Sequence, residues 1–121
     1  MSKLLTPTEL ELMKLLWSHG PSTAREAREA LGDDRAHTTV STILRILVDK
    51  GFAHTTAEGR SHRYHPSIDR RSYRSRQLKH LVGSLFEGSA SALVRQLVDD
   101  GELPPDELER LSALLEDDGE S

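Results

Sequence analysis

The hydrophobic rhythm of the chain changes at Gly51, and that change narrows the folds open to it. Upstream, apolar residues recur every three or four positions; downstream, the polar runs Phe52–Thr56 and Ser61–His65 flank Ala57-Glu58-Gly59-Arg60. The first pattern belongs to short amphipathic helices, the second to strand, turn and strand. Phe52 and Tyr64 are the expected inward residues of the hairpin, Glu58-Gly59 its turn, and Pro66 its close. With so few apolar residues, such a hairpin must lean on the helices before it.

Those helices carry explicit start and stop signals. Thr6-Pro7-Thr8-Glu9 offers a capping threonine, a proline at the first helical position and the acid of a capping box. Leu10, Met13, Leu16 and Trp17 then share one side and Leu12 and Leu15 a second, so this helix should sit between packed layers, ending at Gly20-Pro21. Trp17 reads as core. Thr23 and Glu26 repeat the capping box before a shorter helix with Ala24, Ala27 and Leu31 inward and Gly32 at its end. A third helix spans His37 to about Lys50. Its Val40, Ile43, Leu44 and Leu47 fall within an arc of about 100°, and Thr38, Ser41, Thr42, Arg45 and Asp49 occupy the opposite arc. Exposed helix faces ordinarily carry long charged side chains that favour helix and solubility; this one carries small hydroxyls and one arginine.

Helix, helix–turn–helix and basic hairpin, in that order, describe a mainly α chain with a β-hairpin wing, a winged helix-turn-helix over residues 1–68. That architecture sets its third helix in the major groove of DNA with the hairpin alongside. Short hydroxyl side chains let such a helix lie close to base edges, and a threonine methyl can meet a thymine methyl. The residues expected to contact DNA from this helix are His37, Thr38, Thr39, Ser41, Thr42 and Arg45. From the wing they are Arg60, Ser61, His62 and Arg63, as phosphate contacts that supply affinity and salt dependence.

Charge supports a polyanion partner. Residues 1–80 hold 14 Lys and Arg against 9 Asp and Glu, a balance of +5, and residues 81–121 hold 2 against 11, or −9. Between residues 35 and 80 the count is 10 against 3, or +7. A basic block inside a chain of net charge −4 implies one surface for a polyanion and another for something else. His54, His62 and His65 invite a metal, but a spacing of three puts His62 and His65 on opposite faces of a strand, so no metal site is expected.

Residues 69–121 are too rich in leucine for a solvated appendage. Leu78, Leu81, Val82, Leu85 and Phe86 keep a helical period, as do Leu93, Val94, Leu97 and Val98, with a joint at Gly88–Ala92. Pro104-Pro105 opens a last helix bearing Leu108, Leu111, Leu114 and Leu115, and Asp117–Ser121 reads as a frayed tail. Of these, the side chains from Leu78 to Leu97, with Leu108 and Leu111, are the expected dimerisation surface, with packing on the first helix as the alternative. A dimer would present two recognition helices to a palindromic operator.

Other classes find less support. The chain has no cysteine, which removes disulfides, thiolate zinc sites and cysteine catalysis and fits a reducing cytoplasm. No apolar run approaches the ~20 residues that span a bilayer, and no signal-peptide pattern opens the chain, so a cytoplasmic protein without membrane insertion is expected. No Gly-rich phosphate loop, HExxH motif or nucleophile–base set points to an enzyme, and no cofactor is expected. An adaptor whose winged helix binds a partner or a ligand, without sequence-specific DNA binding, stays open as the alternative function.

Leu5–Trp17, Thr38–Gly51, Arg63-Tyr64-His65-Pro66 and Ser91-Ala92-Leu93-Val94 together resemble the penicillinase-repressor (BlaI/MecI/CopY) family of bacterial transcription factors, over about residues 6–116. The resemblance implies a homodimeric repressor that binds dyad operators through the winged domain and dimerises through the carboxyl-terminal helices. In beta-lactam-responsive members, a membrane sensor with a metalloprotease domain leads, directly or indirectly, to repressor cleavage in the dimerisation region. The matching bond here is Gln96–Leu97. Copper-responsive members carry a cysteine motif that this chain lacks. Many members place arginine directly before the leucine at position 47, where this chain has Ile46 and carries Arg45 one residue earlier.

Overall fold

The structure, a computed structural model, describes residues 4–119, with side chains as far as residue 114. Six helices are ordered in sequence as α1 (Pro7–His19), α2 (Ala24–Leu31), α3 (His37–Asp49), α4 (Arg70–Leu85), α5 (Ala90–Asp99) and α6 (Pro105–Gly119). Three strands are β1 (Ser22–Thr23), β2 (Ala53–Glu58) and β3 (Ser61–Pro66). Two compact units result, one reaching to Gln77 and one starting at Leu78.

Both expected capping boxes close. Thr6 Oγ1 accepts from the Glu9 N–H at 3.2 Å while a Glu9 carboxylate oxygen accepts from the Thr6 N–H at 3.1 Å. Thr23 and Glu26 repeat the exchange at the start of α2, both contacts at 3.1 Å. Each pair satisfies donors that a helix start otherwise leaves open.

The core of the first unit joins Leu12, Met13, Leu15 and Leu16 of α1 to Ala27 of α2 and Val40, Ile43, Leu44 and Leu47 of α3, with Phe52, Ala53, Tyr64 and Tyr73. The two apolar sides of α1 thus meet both helices and the sheet, with Leu10 and Trp17 packed at the edge of the core. The helix-to-strand switch is built at Gly51. The Gly51 N–H donates to the Val48 carbonyl at 3.0 Å, the Phe52 N–H to the Leu47 carbonyl at 2.9 Å, and Gly51 takes φ +84°. This is a Schellman turn, and its flanking Leu47 and Phe52 both enter the core.

The hairpin is joined by a third strand, absent from the sequence reading. β1 pairs antiparallel with β3, Ser22 opposite Tyr64 and Thr23 opposite Arg63, giving the order β1-β3-β2. The turn also falls later than expected. Glu58 still pairs with Ser61, leaving Gly59-Arg60 as the loop, with Gly59 at φ +61°. A two-residue loop with a left-handed glycine matches the twist of the flanking strands.

By packing, the first unit extends past the boundary expected at residue 68. Tyr73 of α4 is buried, its ring 5.7 Å from that of Trp17 and 5.8 Å, edge-on, from that of Phe52. Trp17 Nε1 donates to the Ile68 carbonyl at 2.9 Å, and the Arg70 guanidinium lies 5.9 Å from the Trp17 ring centroid.

In the second unit the chain breaks between α4 and α5, where Glu87 and Gly88 take φ +49° and +85° and Ser89 caps α5. No described side chain there is buried. Leu78 and Leu85 are 54% and 70% exposed, and Leu108 is exposed. Leu81, Val82, Phe86, Leu93, Val94, Leu97 and Leu111 are half-buried. A crevice of about 440 Å³ lined by Leu78, Val82 and Leu93 lies between α4 and α5. The helix α6 runs to Gly119, past Asp117 where the frayed tail was expected to begin. Glu120 and Ser121 lie outside the described residues, as does the side chain of Leu115.

Candidate nucleic-acid interface

The burial of Val40, Ile43, Leu44 and Leu47 fixes how α3 is turned, and the opposite arc follows from it. His37, Thr38, Thr39, Thr42 and Arg45 are exposed and Ser41 is half-buried. Thr42 Oγ1 donates to the Thr38 carbonyl at 2.8 Å, which leaves the hydroxyl free to accept.

The two-residue turn carries the wing tip back to this helix. His37, Ser41 and Arg45 of α3 share a concavity of about 240 Å³ with Arg60, Ser61 and His62 of the wing. Thr38, Thr39 and Thr42 lie on the exposed arc without lining it. Among the described residues neither Arg45 nor Arg60 has an ion-pair partner. Such a surface, with two unpaired guanidinium groups, imidazoles and hydroxyls, suits phosphate oxygens and the acceptors of base edges. Arg25, in the first turn of α2, also lines the concavity and escaped the sequence reading. Its only visible signal was an i,i+4 pairing with Glu29, seen here at 3.4 Å between exposed side chains.

Arg63 is engaged elsewhere. Its Nη1 donates to the Pro21 carbonyl at 2.8 Å and to Glu26 at 2.9 Å, and its Nη2 to Glu58 at 2.8 Å and Glu26 at 3.2 Å. The Nε–H points at Glu58, at 3.3 Å. Hydrogen bonds from Arg63, then from the Thr23 backbone, hold the Glu26 carboxyl below the ordinary glutamate range.

Arg35 braces the approach to α3 in a similar way. It meets Glu11 of α1 in a two-pronged contact at 2.8 and 2.9 Å and also pairs with Asp33. Lys50, at the end of α3, pairs with buried Glu9.

His62 and His65 lie on opposite faces of the wing, as their spacing of three requires, but His54 joins His65. His62 faces α3, whereas His54 and His65 stack across the strands at 5.1 Å and line a different concavity near Trp17. His54 Nδ1 contacts Ser67 Oγ at 2.7 Å, and His65 Nε2 contacts Thr56 Oγ1 at 2.9 Å. Among the described residues no three His, Cys, Asp or Glu side chains gather as a metal would require, and no helix is long and apolar enough to cross a membrane. Gln96 and Leu97 lie inside α5, where Gln96 is exposed and its amide donates to Asp100 at 3.1 Å.

Known proteins with related sequences agree with the family that the motifs suggested. The penicillinase repressor of Bacillus licheniformis is 26% identical over 115 residues, covering 93% of this chain and 90% of that protein. The transcriptional regulator BlaI of Mycobacterium tuberculosis is 41% identical over 71 residues, covering 54% of this chain and 51% of that protein. Among solved structures, the DNA binding domain of the repressor BlaI superimposes with a TM-score of 0.53 at 32% identity, covering 60% of this chain and 94% of that domain. The family model for the penicillinase repressor matches residues 5–117. The chain is a member of the penicillinase repressor family.

Proposed function

We propose that the chain is a homodimeric transcriptional repressor, acting in the cytoplasm, that binds a dyad operator in double-stranded DNA through α3 and the wing. The observation that carries this reading is the convergence of His37, Ser41 and Arg45 with Arg60, Ser61 and His62 on one concave surface. In this reading Thr38, Thr39, Ser41, Thr42 and Arg45 face the major groove, and Arg60, Ser61 and His62 hold phosphates beside it. The similarity to the DNA binding domain of BlaI supports it.

Dimerisation is assigned to the second unit. Among the described residues of that unit Leu78, Leu85 and Leu108 stay exposed, and a second copy would cover them. Derepression is assigned to a signal that weakens this interface. A cut at Gln96–Leu97, made through a membrane sensor metalloprotease acting directly or indirectly, would detach α6 from α4. Because that bond lies inside a helix, α5 must open locally before a protease can take it in extended form.

The test is a salt titration of binding to DNA from the chain's own promoter region. Affinity should fall steeply with salt, and Arg45→Ala should lose ~1–3 kcal/mol of specific binding. No complex at low salt overturns the reading in favour of a partner-binding adaptor.

A further inference from the structure

Arg63 reads in the sequence as one more phosphate ligand of the wing, but its surroundings give it different work. A guanidinium has five N–H donors, and Arg63 makes five contacts: two to Glu58, two to Glu26 and one to the Pro21 carbonyl. Its side chain is only 26% exposed. It sits on β3 with Thr23 of β1 on one side and Thr56 of β2 on the other. Both acids are tied to elements of consequence. Glu58 ends the first wing strand, immediately before the Gly59-Arg60 loop. Glu26 closes the capping box of α2, so a single carboxylate fastens the helix start and the arginine at once.

We propose that Arg63 is a positioning residue: its guanidinium bridges Glu26 of α2 and Glu58 of the wing, fixing the wing so that Arg60 and His62 stand opposite Arg45 of α3. The proposal rests on the DNA-binding reading for its consequence, though the brace itself exists without DNA. Exposed ion pairs contribute little to stability, and the value of this one lies in orientation. A hairpin so poor in apolar contacts is held at a defined angle, and its phosphate ligands are ordered before DNA arrives.

Lysine separates the two roles. Arg63→Lys keeps a cation that could serve a phosphate, but one ammonium cannot span two carboxylates and a carbonyl as the planar fork does. For Arg63→Met and Arg63→Lys alike, operator affinity should fall about 2- to 10-fold while the slope of log affinity against log salt stays at the wild-type value. Arg60→Ala, by contrast, should flatten that slope by about 0.9. In the free protein, Arg63→Met and Glu26→Gln should each speed amide exchange across β2 and β3. Glutamine preserves the capping box, so an effect of Glu26→Gln reports the ion pair and not the cap.

The proposal is overturned if Arg63→Met flattens the salt slope as Arg60→Ala does and Arg63→Lys restores it. It is also overturned if wing exchange is unchanged in the free variants. If exchange responds but the wild-type chain binds no DNA, the brace stands and the DNA-binding reading fails.

Discussion

Glu9 is buried, caps its own helix and faces Lys50 from the end of α3. Burial alone would raise its carboxyl. Hydrogen bonds from Lys50 and from the Thr6 backbone and hydroxyl, with the charge of Lys50, outweigh that and bring it below the ordinary value of 4.5. A carboxyl held lower in the folded than in the unfolded chain stabilises the fold above the unfolded value. That stabilisation is lost as pH falls through the lowered one. Glu9→Gln keeps the cap but drops the charge, and should cost about 1–3 kcal/mol at neutral pH. In thermal unfolding followed against pH, wild type and variant should differ by a constant amount at neutral pH and converge in acid. A gap that persists unchanged at pH 3 would remove the ion pair as its cause. Little of this was legible: Glu9 was visible as a capping acid, but its second partner is 41 residues away and had no local signal.

At the scale of elements, the passage from α3 to the wing turns on one backbone conformation. Gly51 holds φ +84° with nothing within 4 Å of the position a Cβ would take, so strain and not collision opposes a side chain there. Gly51→Ala should destabilise the fold by ~1–2 kcal/mol, the cost of a left-handed conformation for an L-residue, read as a lower urea midpoint with an unchanged m-value. A null effect would mean that the turn relaxes without loss. The helix starts, the stop at Gly51 and the inward set of α3 could be read in advance because each depends on residues within about one helical turn. The strand β1 could not. Two residues, Ser22 and Thr23, become a strand only because β3 lies beside them. Tyr73 was hidden for a related reason: Arg70, Arg71, Arg74 and Arg76 surround it, and only the place of Trp17 and Phe52 makes it core. Arg63 shows the same limit within the candidate site, since its basic character was plain but the acids that occupy it come from α2 and β2.

At the scale of the whole molecule, the two units differ in how much they bury. The first buries a contiguous core; the second buries no described side chain. Leu97→Asp should yield monomers in sedimentation velocity while leaving the winged unit folded by its near-ultraviolet circular dichroism. Binding to a full dyad should then drop ~10²- to 10⁴-fold, with half-site binding little changed. A dimer that survives the substitution moves the interface away from α5. The bare leucines of α4 and α6 were legible as amphipathic stripes, but a stripe does not name its partner.

Those uncovered leucines also bear on how a cell would hear such a regulator. Where two copies must meet before either grips a full operator, occupancy at low abundance rises with the square of the amount of protein. A modest fall in supply, from slower synthesis, faster turnover or dilution by growth, then opens the promoter by more than its own proportion. Abundance becomes a signal in its own right, read through the apolar face of the second unit.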